Sequence, residues 1–357
     1  MVSELGKTLR SLEGSILITG HTGFKGTWLT LLLEELEIPV VGYSLPPTQG
    51  SLFERAKRRG KILEEFGDIR DISKFASFLK LHKPSVIFHL AAQPLVLESY
   101  KDPIGTFATN VLGTANVLGA AFNESSVQLV CVITTDKVYK NDNSGKRFKE
   151  SDSLEGKDPY SASKVGTESV ASAWKQIAQV KGGPVVSVYR AGNVIGGGDF
   201  AENRLIPDVI RGVISNERVS IRNPNSTRPW QHVLDPLIGY VMGAEYSLIN
   251  QKPLVLNFGP NEQSLSVGRV LEIAGASWDR INYKITRQID SKIESKSLEL
   301  DSTLAEKTLG WNPQMNQSEA VESTVIWWKD VLEKNADPNE KLLQEISVFL
   351  SSLTSRN

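Results

Sequence analysis

The chain has 357 residues, 40% of them apolar and 23% charged, with a net charge of −1. That balance suits a large core in one big α/β domain or two closely joined ones, and it gives no general attraction to nucleic acid or to an anionic membrane. No apolar run is long enough to cross a bilayer, the single Cys131 excludes an internal disulfide, and His21, His82, His89 and His232 lack the close spacing of a metal site. The N-terminus also lacks the apolar core of a signal peptide, so a cytoplasmic enzyme without a metal or a membrane anchor is expected.

In chain order, Ile16, Leu17 and Ile18 read as a short buried parallel strand. Gly20, Gly23 and Gly26 follow. Then Trp28, Leu29, Leu32, Leu33 and Leu36 recur at helical spacing, which predicts a helix with one stripe against a sheet. Val40 and Val41 begin a second strand after Pro39. Strand, glycine turn, helix and strand make a βαβ unit. Its glycines allow a tight turn and the close approach of a diphosphate, and the helix N-terminus supplies unpaired N–H groups. A dinucleotide site is therefore expected here.

Residues 45–50 form a loop, and residues 51–60 read as a short basic helix. A Rossmann unit that uses NAD usually carries an acidic residue after its second strand, to hold the ribose hydroxyls. Here the strand ends Gly42-Tyr43-Ser44, without a carboxylate. NADP thus stays open beside NAD: Arg55, Lys57, Arg58 and Arg59 are either partners for its extra phosphate or a solvated helix face. A helix is expected from Ile72 to Leu81, and a strand from Val86 to Leu90 that ends in the small residues Ala91 and Ala92. A helical segment carrying Asn110 to Leu118 follows. The all-apolar run Leu129 to Ile133 leads straight into Thr134-Thr135-Asp136-Lys137. Cys131, inside that run, is expected to be a buried structural thiol. In open parallel sheets ligands bind at the carboxyl ends of strands, which makes those polar residues candidates.

A polar loop over residues 141–156 separates them from Pro159, a good first residue of a helix. Tyr160 and Lys164 then fall one turn apart on one face. Gly182-Gly183-Pro184 ends that helix, Val185 to Val188 is a strand, and residues 190–200 form a glycine-rich loop at its end. This alternation predicts an α/β, Rossmann-type doubly wound parallel sheet. The dinucleotide-binding part is placed at residues 1–190. A smaller mixed α/β substrate-binding region takes up most of 191–357, woven into the first part through a returning strand near 254–259. The tail, Glu319 to Leu332, reads as a helix with Val321, Val325 and Trp328 on one stripe.

Tyr160 and Lys164 carry the sharpest chemistry. A phenol near pH 7 acts as a base only if its pKa falls well below about 10, and a nearby ammonium favours the phenolate. Together, residues 20–26 (G-H-T-G-F-K-G), 90–93 (L-A-A-Q), 110–114 (N-V-L-G-T), Thr135-Asp136 and residues 160–164 (Y-S-A-S-K) resemble the extended short-chain dehydrogenase/reductase superfamily over nearly the whole chain. More narrowly, T-G-H-T-G-F-K-G-T-W-L, G-Y-S-L-P-P-T, S-L-F-E, T-T-D-K-V-Y, A-E-N-R-L-I-P-D and I-R-N-P-N-S-T-R-P-W-Q-H-V resemble the CDP-glucose 4,6-dehydratases, a family of deoxysugar and O-antigen biosynthesis.

The resemblance implies bound NAD and a substrate that is CDP-glucose or a related nucleotide sugar, in a homodimer. It implies that Tyr160 takes the proton of the sugar's 4-hydroxyl, Lys164 lowers the phenol's pKa and Thr135 bonds the same hydroxyl. Asp136 becomes the acid for the departing 6-hydroxyl and Lys137, where dTDP-glucose relatives carry a glutamate, the base at C5. Lys137 fits that role only if burial or nearby positive charge lowers its pKa. Gly20, Thr22, Gly23, Phe24, Lys25, Gly26, Asp68, Ile69, Leu90, Ala91, Ala92 and Asn110 would line the cofactor, with Tyr160 and Lys164. Gln93 would meet the sugar, and Asn193, Arg204 and Arg228 the diphosphate. Trp230 either packs near the base or in the core, while His232, Trp327 and Trp328 are read as structural. A 4-epimerase, or a dehydratase for another nucleotide sugar, is the alternative on this scaffold, and the Asp136-Lys137 pair leans against the epimerase. A non-catalytic dinucleotide-binding protein would not need Thr135, Tyr160 and Lys164.

Overall fold

The computed structural model describes residues 4–286 and 298–355. Seven parallel strands form its centre: β1 (Ile16–Thr19), β2 (Val40–Ser44), β3 (Leu63–Phe66), β4 (Val86–His89), β5 (Leu129–Thr135), β6 (Val185–Ala191) and β7 (Val255–Phe258). Their order is β3-β2-β1-β4-β5-β6-β7. Ile16 lies opposite both Val40 and Val86, and Leu129 opposite both Val86 and Val185. Every residue of β1, β4 and β5 is buried, which is what an apolar run without alternation requires of a strand covered on both faces. The order reverses between β1 and β4, so the crevice at their carboxyl ends is where this architecture binds ligands.

Two elements depart from the sequence reading. β3 has no apolar signature, because it is an edge strand with Leu63 exposed. The helix after β1, α1 (Phe24–Glu35), does not present one stripe: Gly26 through Leu33 are all buried. Its second cover is a final helix, α2 (Pro338–Ser355), which lies beyond the expected end of the helical tail and packs on α1. Leu342, Ile346, Phe349 and Leu350 of α2 recur at helical spacing and join the core. The preceding tail helix, Gln317–Glu333, does bury Val321, Val325 and Trp328 as expected, along with Trp327.

The basic segment holds one helical turn, Leu52–Arg55; Lys57 and Arg59 after it are exposed, as a solvated face would have them, whereas Arg55 and Arg58 are engaged by the protein. Arg58 is buried and pairs with Glu34 of α1 while reaching Asn339 of α2. The Arg55 guanidinium lies 4.8 Å from the Phe200 ring centroid and 5.5 Å from that of Trp328. Arg59 stacks 5.0 Å over Phe66. The heads of Arg55 and Arg59 cover aromatic surface, while that of Arg58 meets a carboxylate. Arg190, read as loop, is instead inside β6 and buried.

The helix that follows the 141–156 loop, α3 (Pro159–Lys181), is the longest in the chain's described residues. Asp158 and Ser161 form a reciprocal cap, Pro159 opens the first turn, and Gly182 ends it. Its buried face carries Tyr160, Lys164 and Glu168 in a row, one turn apart. Among the described residues no helix is long and apolar enough to cross a membrane.

Because α2 completes the cover of α1, truncating its core side chain should be felt globally. Ile346→Ala should lower the free energy of unfolding by about 2–4 kcal/mol in a denaturant titration. A loss under about 0.5 kcal/mol would mean that α2 is not part of the cooperative core.

Candidate active site

Backbone crowding explains the glycine turn. Gly20 has φ +78, and a Cβ there would lie 2.8 Å from the Ala91 nitrogen. A Cβ on Gly26 would lie 2.1 Å from the Gly20 carbonyl oxygen, so only glycine lets α1 start against the turn. Gly23 caps α1 without a side-chain bond, which leaves the first-turn amides of Phe24, Lys25 and Gly26 without partners inside the helix. A cradle that a Cβ would fill, opening onto free amides, fits the diphosphate of a dinucleotide. Leu90, Ala91 and Ala92 form the opposite wall. The Leu90 and Ala91 nitrogens donate to the Thr19 carbonyl at 3.1 Å and the Thr19 hydroxyl at 3.3 Å.

Inside β2, a Cβ on Gly42 would lie 2.6 Å from the buried His21 ring, so no side chain fits there, and the strand ends at Ser44. His21 Nε2 is 2.8 Å from Glu64, on the neighbouring β3. Burial lowers the His21 pKa despite that partner. Thr22 and Ser44 hydroxyls meet at 2.7 Å and close the turn. Asp68 is held by Arg70, which keeps its carboxyl below the ordinary range, while Ile69 packs in the core beneath Gly113.

At the end of β5, Thr135, Asp136, Tyr160 and Lys164 are all buried together. The Thr135 hydroxyl donates to Asp136 at 2.9 Å and accepts the Lys137 amide at 3.3 Å. Burial raises the Asp136 carboxyl, while Lys137 and Arg228 pull it back. Burial also pushes the Tyr160 phenol up to about 12, against its hydrogen bond with Thr135 and the charge of Arg204. Lys164 lies one turn from Tyr160 on the same buried face of α3. Its ammonium donates to the Ile133 carbonyl at 3.2 Å, and burial lowers it to about 8 against the pull of Glu168. Arg204 is paired with Asp199 at 3.1 Å. Arg228 donates to the Thr227 carbonyl at 2.8 Å. Asn193 receives the Gln231 amide on its carbonyl at 3.2 Å.

Two side chains expected at ligands are occupied by protein. The Asn110 amide donates to the Gln93 carbonyl at 3.1 Å and the Ser163 hydroxyl at 2.9 Å, and its oxygen accepts the Gln93 amide at 2.8 Å. It therefore joins the exit of β4 to α3, at a π-helical turn, Ala108–Leu112. The Gln93 side chain folds back onto Leu95 and Thr106. Trp230 is buried, donating to the Leu265 carbonyl at 3.3 Å, which makes it core. Cys131 is buried too, and burial raises its thiol far above the ordinary range.

Lys25 carries more than the turn required. Its ammonium donates to the Tyr240 hydroxyl at 3.1 Å, and burial lowers it to about 7, with Arg204 and Lys164 lowering it further and Asp136 opposing. The cofactor wall and the acid–base cluster thus share one field. Gly192, whose Cβ would lie 3.2 Å from the Asp136 carboxylate, is another residue that sequence reasoning passed over, as are Glu168 and Arg190. Among the described residues no group of three or more His, Cys, Asp or Glu is placed to hold a metal ion.

The family model of GDP-mannose 4,6 dehydratase matches residues 17–324. The CDP-glucose 4,6-dehydratase of Salmonella typhimurium is 39% identical over 349 residues, spanning 95% of this chain and 97% of that protein. A dTDP-glucose 4,6-dehydratase of Shigella flexneri is 26% identical, spanning 88% and 92%. Among solved structures, MoeE5 in complex with UDP-glucuronic acid and NAD superposes with a TM-score of 0.76 at 24% identity, covering 89% of this chain and 100% of that one. The UDP-glucose-4-epimerase of Stenotrophomonas maltophila does so at 0.77 and 22%, covering 91% and 100%. Both likenesses concern the fold.

Lys25 loses its proton as pH rises through about 7, and an oxidised nicotinamide is one charge more positive than a reduced one. Deprotonation should therefore favour the oxidised cofactor. The ratio of reduced to oxidised dissociation constants should rise between pH 6 and pH 8, on the order of several-fold. Lys25→Met should remove that step; calorimetric titrations with both cofactor forms at each pH decide it.

Proposed function

The chain belongs to the GDP-mannose 4,6 dehydratase family, and from that footing we propose that it converts CDP-glucose to CDP-4-dehydro-6-deoxyglucose. It is an NAD-dependent hydro-lyase. The observation that carries the substrate is the 39% identity, end to end, with a CDP-glucose 4,6-dehydratase; other dehydratases and epimerases are more distant. The cofactor is NAD. Arg55 and Arg58, candidates for the extra phosphate of NADP, are engaged with Phe200, Trp328 and Glu34.

Held at the turn of Gly20, Gly23 and Gly26 and the start of α1, NAD would supply a hydride acceptor for C4 that is restored within each cycle at C6. The residues move the protons. Tyr160 Oη takes the 4-hydroxyl proton, with Thr135 bonding the same hydroxyl. Its phenol starts near 12, so the reaction requires positive charge beside it, and Arg204 and Lys164 are the cations at hand. The 4-ketone acidifies the C5 proton, which Lys137 removes. Asp136, whose carboxyl burial raises, is the acid that gives a proton to the departing 6-hydroxyl. Asn193, Arg204 and Arg228 clamp the diphosphate, where a planar fork suits the geometry. Residues 1–190, with the strand near 254–259, hold the cofactor, and residues 191–357 mainly hold the nucleotide sugar.

The reaction is placed in the cytoplasm, in a homodimer. Leu97, Tyr100, Ile104, Phe107 and Leu112 are exposed side by side in sequence on the helical turns Val96–Lys101, Pro103–Phe107 and Ala108–Leu112, with Ile104 81% exposed. Exposed apolar side chains on successive helical turns suit pairing with a second copy. Ile104→Asp should shift the protein from dimer to monomer in light scattering at micromolar concentration; a monomeric wild type would refute the pairing.

CDP-glucose, tested beside the dTDP-, GDP- and UDP-sugars with product mass as the readout, should lose one water without net accumulation of NADH. Tyr160→Phe should reduce turnover by about 10³-fold or more and leave NAD binding within about twofold. Lys137→Ala should still permit hydride to leave C4 yet block dehydration. Normal water loss in that variant would remove Lys137 from the mechanism.

A further inference from the structure

We propose that the buried Arg190–Glu168 ion pair is a clamp that positions the acid–base segment Thr135–Lys137 against the Tyr160–Lys164 face of α3. The inference rests on the dehydratase reading above and concerns two residues outside the groups that touch substrate. Their side chains are 5% and 7% exposed. A buried ion pair is a costly way to hold two elements together, which directs attention to what it holds.

The bonding is two-pronged. Arg190 Nε donates to Glu168 Oε1 at 2.8 Å, and Nη2 donates to Oε2. The Thr134 hydroxyl also donates to Glu168 Oε1, at 2.8 Å. On the other side of the guanidinium, Nη1 donates to the Tyr139 hydroxyl at 2.7 Å and to the Glu150 carbonyl at 3.2 Å. The Tyr139 hydroxyl in turn donates a hydrogen bond to Asn257 Oδ1 at 2.7 Å, on β7. Arg190 also lies 4.9 Å from the Tyr139 ring centroid.

Thr134 and Tyr139 bracket Thr135, Asp136 and Lys137. One ion pair therefore grips the segment at both ends, while its carboxylate belongs to the helix that carries Tyr160 and Lys164. Glu168 sits one turn beyond Lys164 on the same buried face, so the strand exit and the helix cannot slide past each other without breaking the fork. Fixing the mutual distance of reacting groups is worth large factors in rate, since a shift of about 1 Å costs on the order of 100-fold. Glu168 contributes in a second way, as the negative charge that opposes the loss of Lys164's proton on burial.

Three variants test the clamp. Thr134→Val removes only the hydroxyl that donates to Glu168. Tyr139→Phe removes only the hydroxyl between Arg190 and Asn257. Arg190→Lys keeps the charge and loses the fork. Each should lower kcat per NAD-loaded site by about tenfold or more, with KM for the nucleotide sugar within about twofold. The two hydroxyl deletions should also melt within a few degrees of the wild type. Unchanged kcat in both, or kcat, KM and melting temperature deteriorating together, would overturn the proposal. Rates are read as ratios to the wild type on the nucleotide sugar it dehydrates. A wild type inactive on CDP-glucose but active on another sugar of the panel would thus count against the substrate and leave the clamp to be judged by the same ratios.

Discussion

Desolvation governs this site. Four ionisable groups, Asp136, Tyr160, Lys164 and Lys25, are taken largely out of water between the exit of β5, the start of α1 and the face of α3, and in each the largest influence on the proton is burial. Burial disfavours whichever form is charged, so it raises the acid and the phenol and lowers both lysines. The carboxyl and the two lysines are thereby drawn toward one another, while the phenol, pushed up to about 12, moves away from both lysines and depends on neighbouring cations to give up its proton.

The fold makes that burial possible. A seven-stranded parallel sheet covered on both faces brings the carboxyl ends of β1, β4 and β5 side by side at the point where the strand order reverses. Helix α1 is enclosed because α2 returns from the end of the chain to cover it, and Arg58 ties the two together through Glu34 and Asn339. The loop that ends at Phe200 is anchored onto the same layer, with Phe200 lying under the guanidinium of Arg55 and under that of Arg211 at 5.1 Å.

Polar side chains away from the chemistry do most of the aligning. Asn110 joins the exit of β4 to Ser163, and Arg190 with Glu168 joins the exit of β5 to the next turn of the same helix. Both devices act on α3 from different strands, which holds Tyr160 and Lys164 in place from two sides. Neither has a sequence signature, because an asparagine inside a helix and an arginine at the end of a strand are ordinary until their partners are seen.

The amino-acid sequence by itself determined the βαβ start, the strands whose apolar runs are buried on both faces, the helix opened by Pro159, and the residue types of the acid–base cluster. Those features are local: periodicity, glycine spacing and capping chemistry lie within a few residues of one another. Only the tertiary structure decided the edge strand β3, the all-round burial of α1 beneath α2, the contact of His21 with Glu64 across β2, and the partners of Gln93, Asn110, Arg55 and Arg190. Each of these joins residues distant in the chain, and the same side chain is exposed or buried, paired or not, according to what the fold lays against it. The proton affinities belong to that second group for the same reason, since they follow the loss of water and not the residue type.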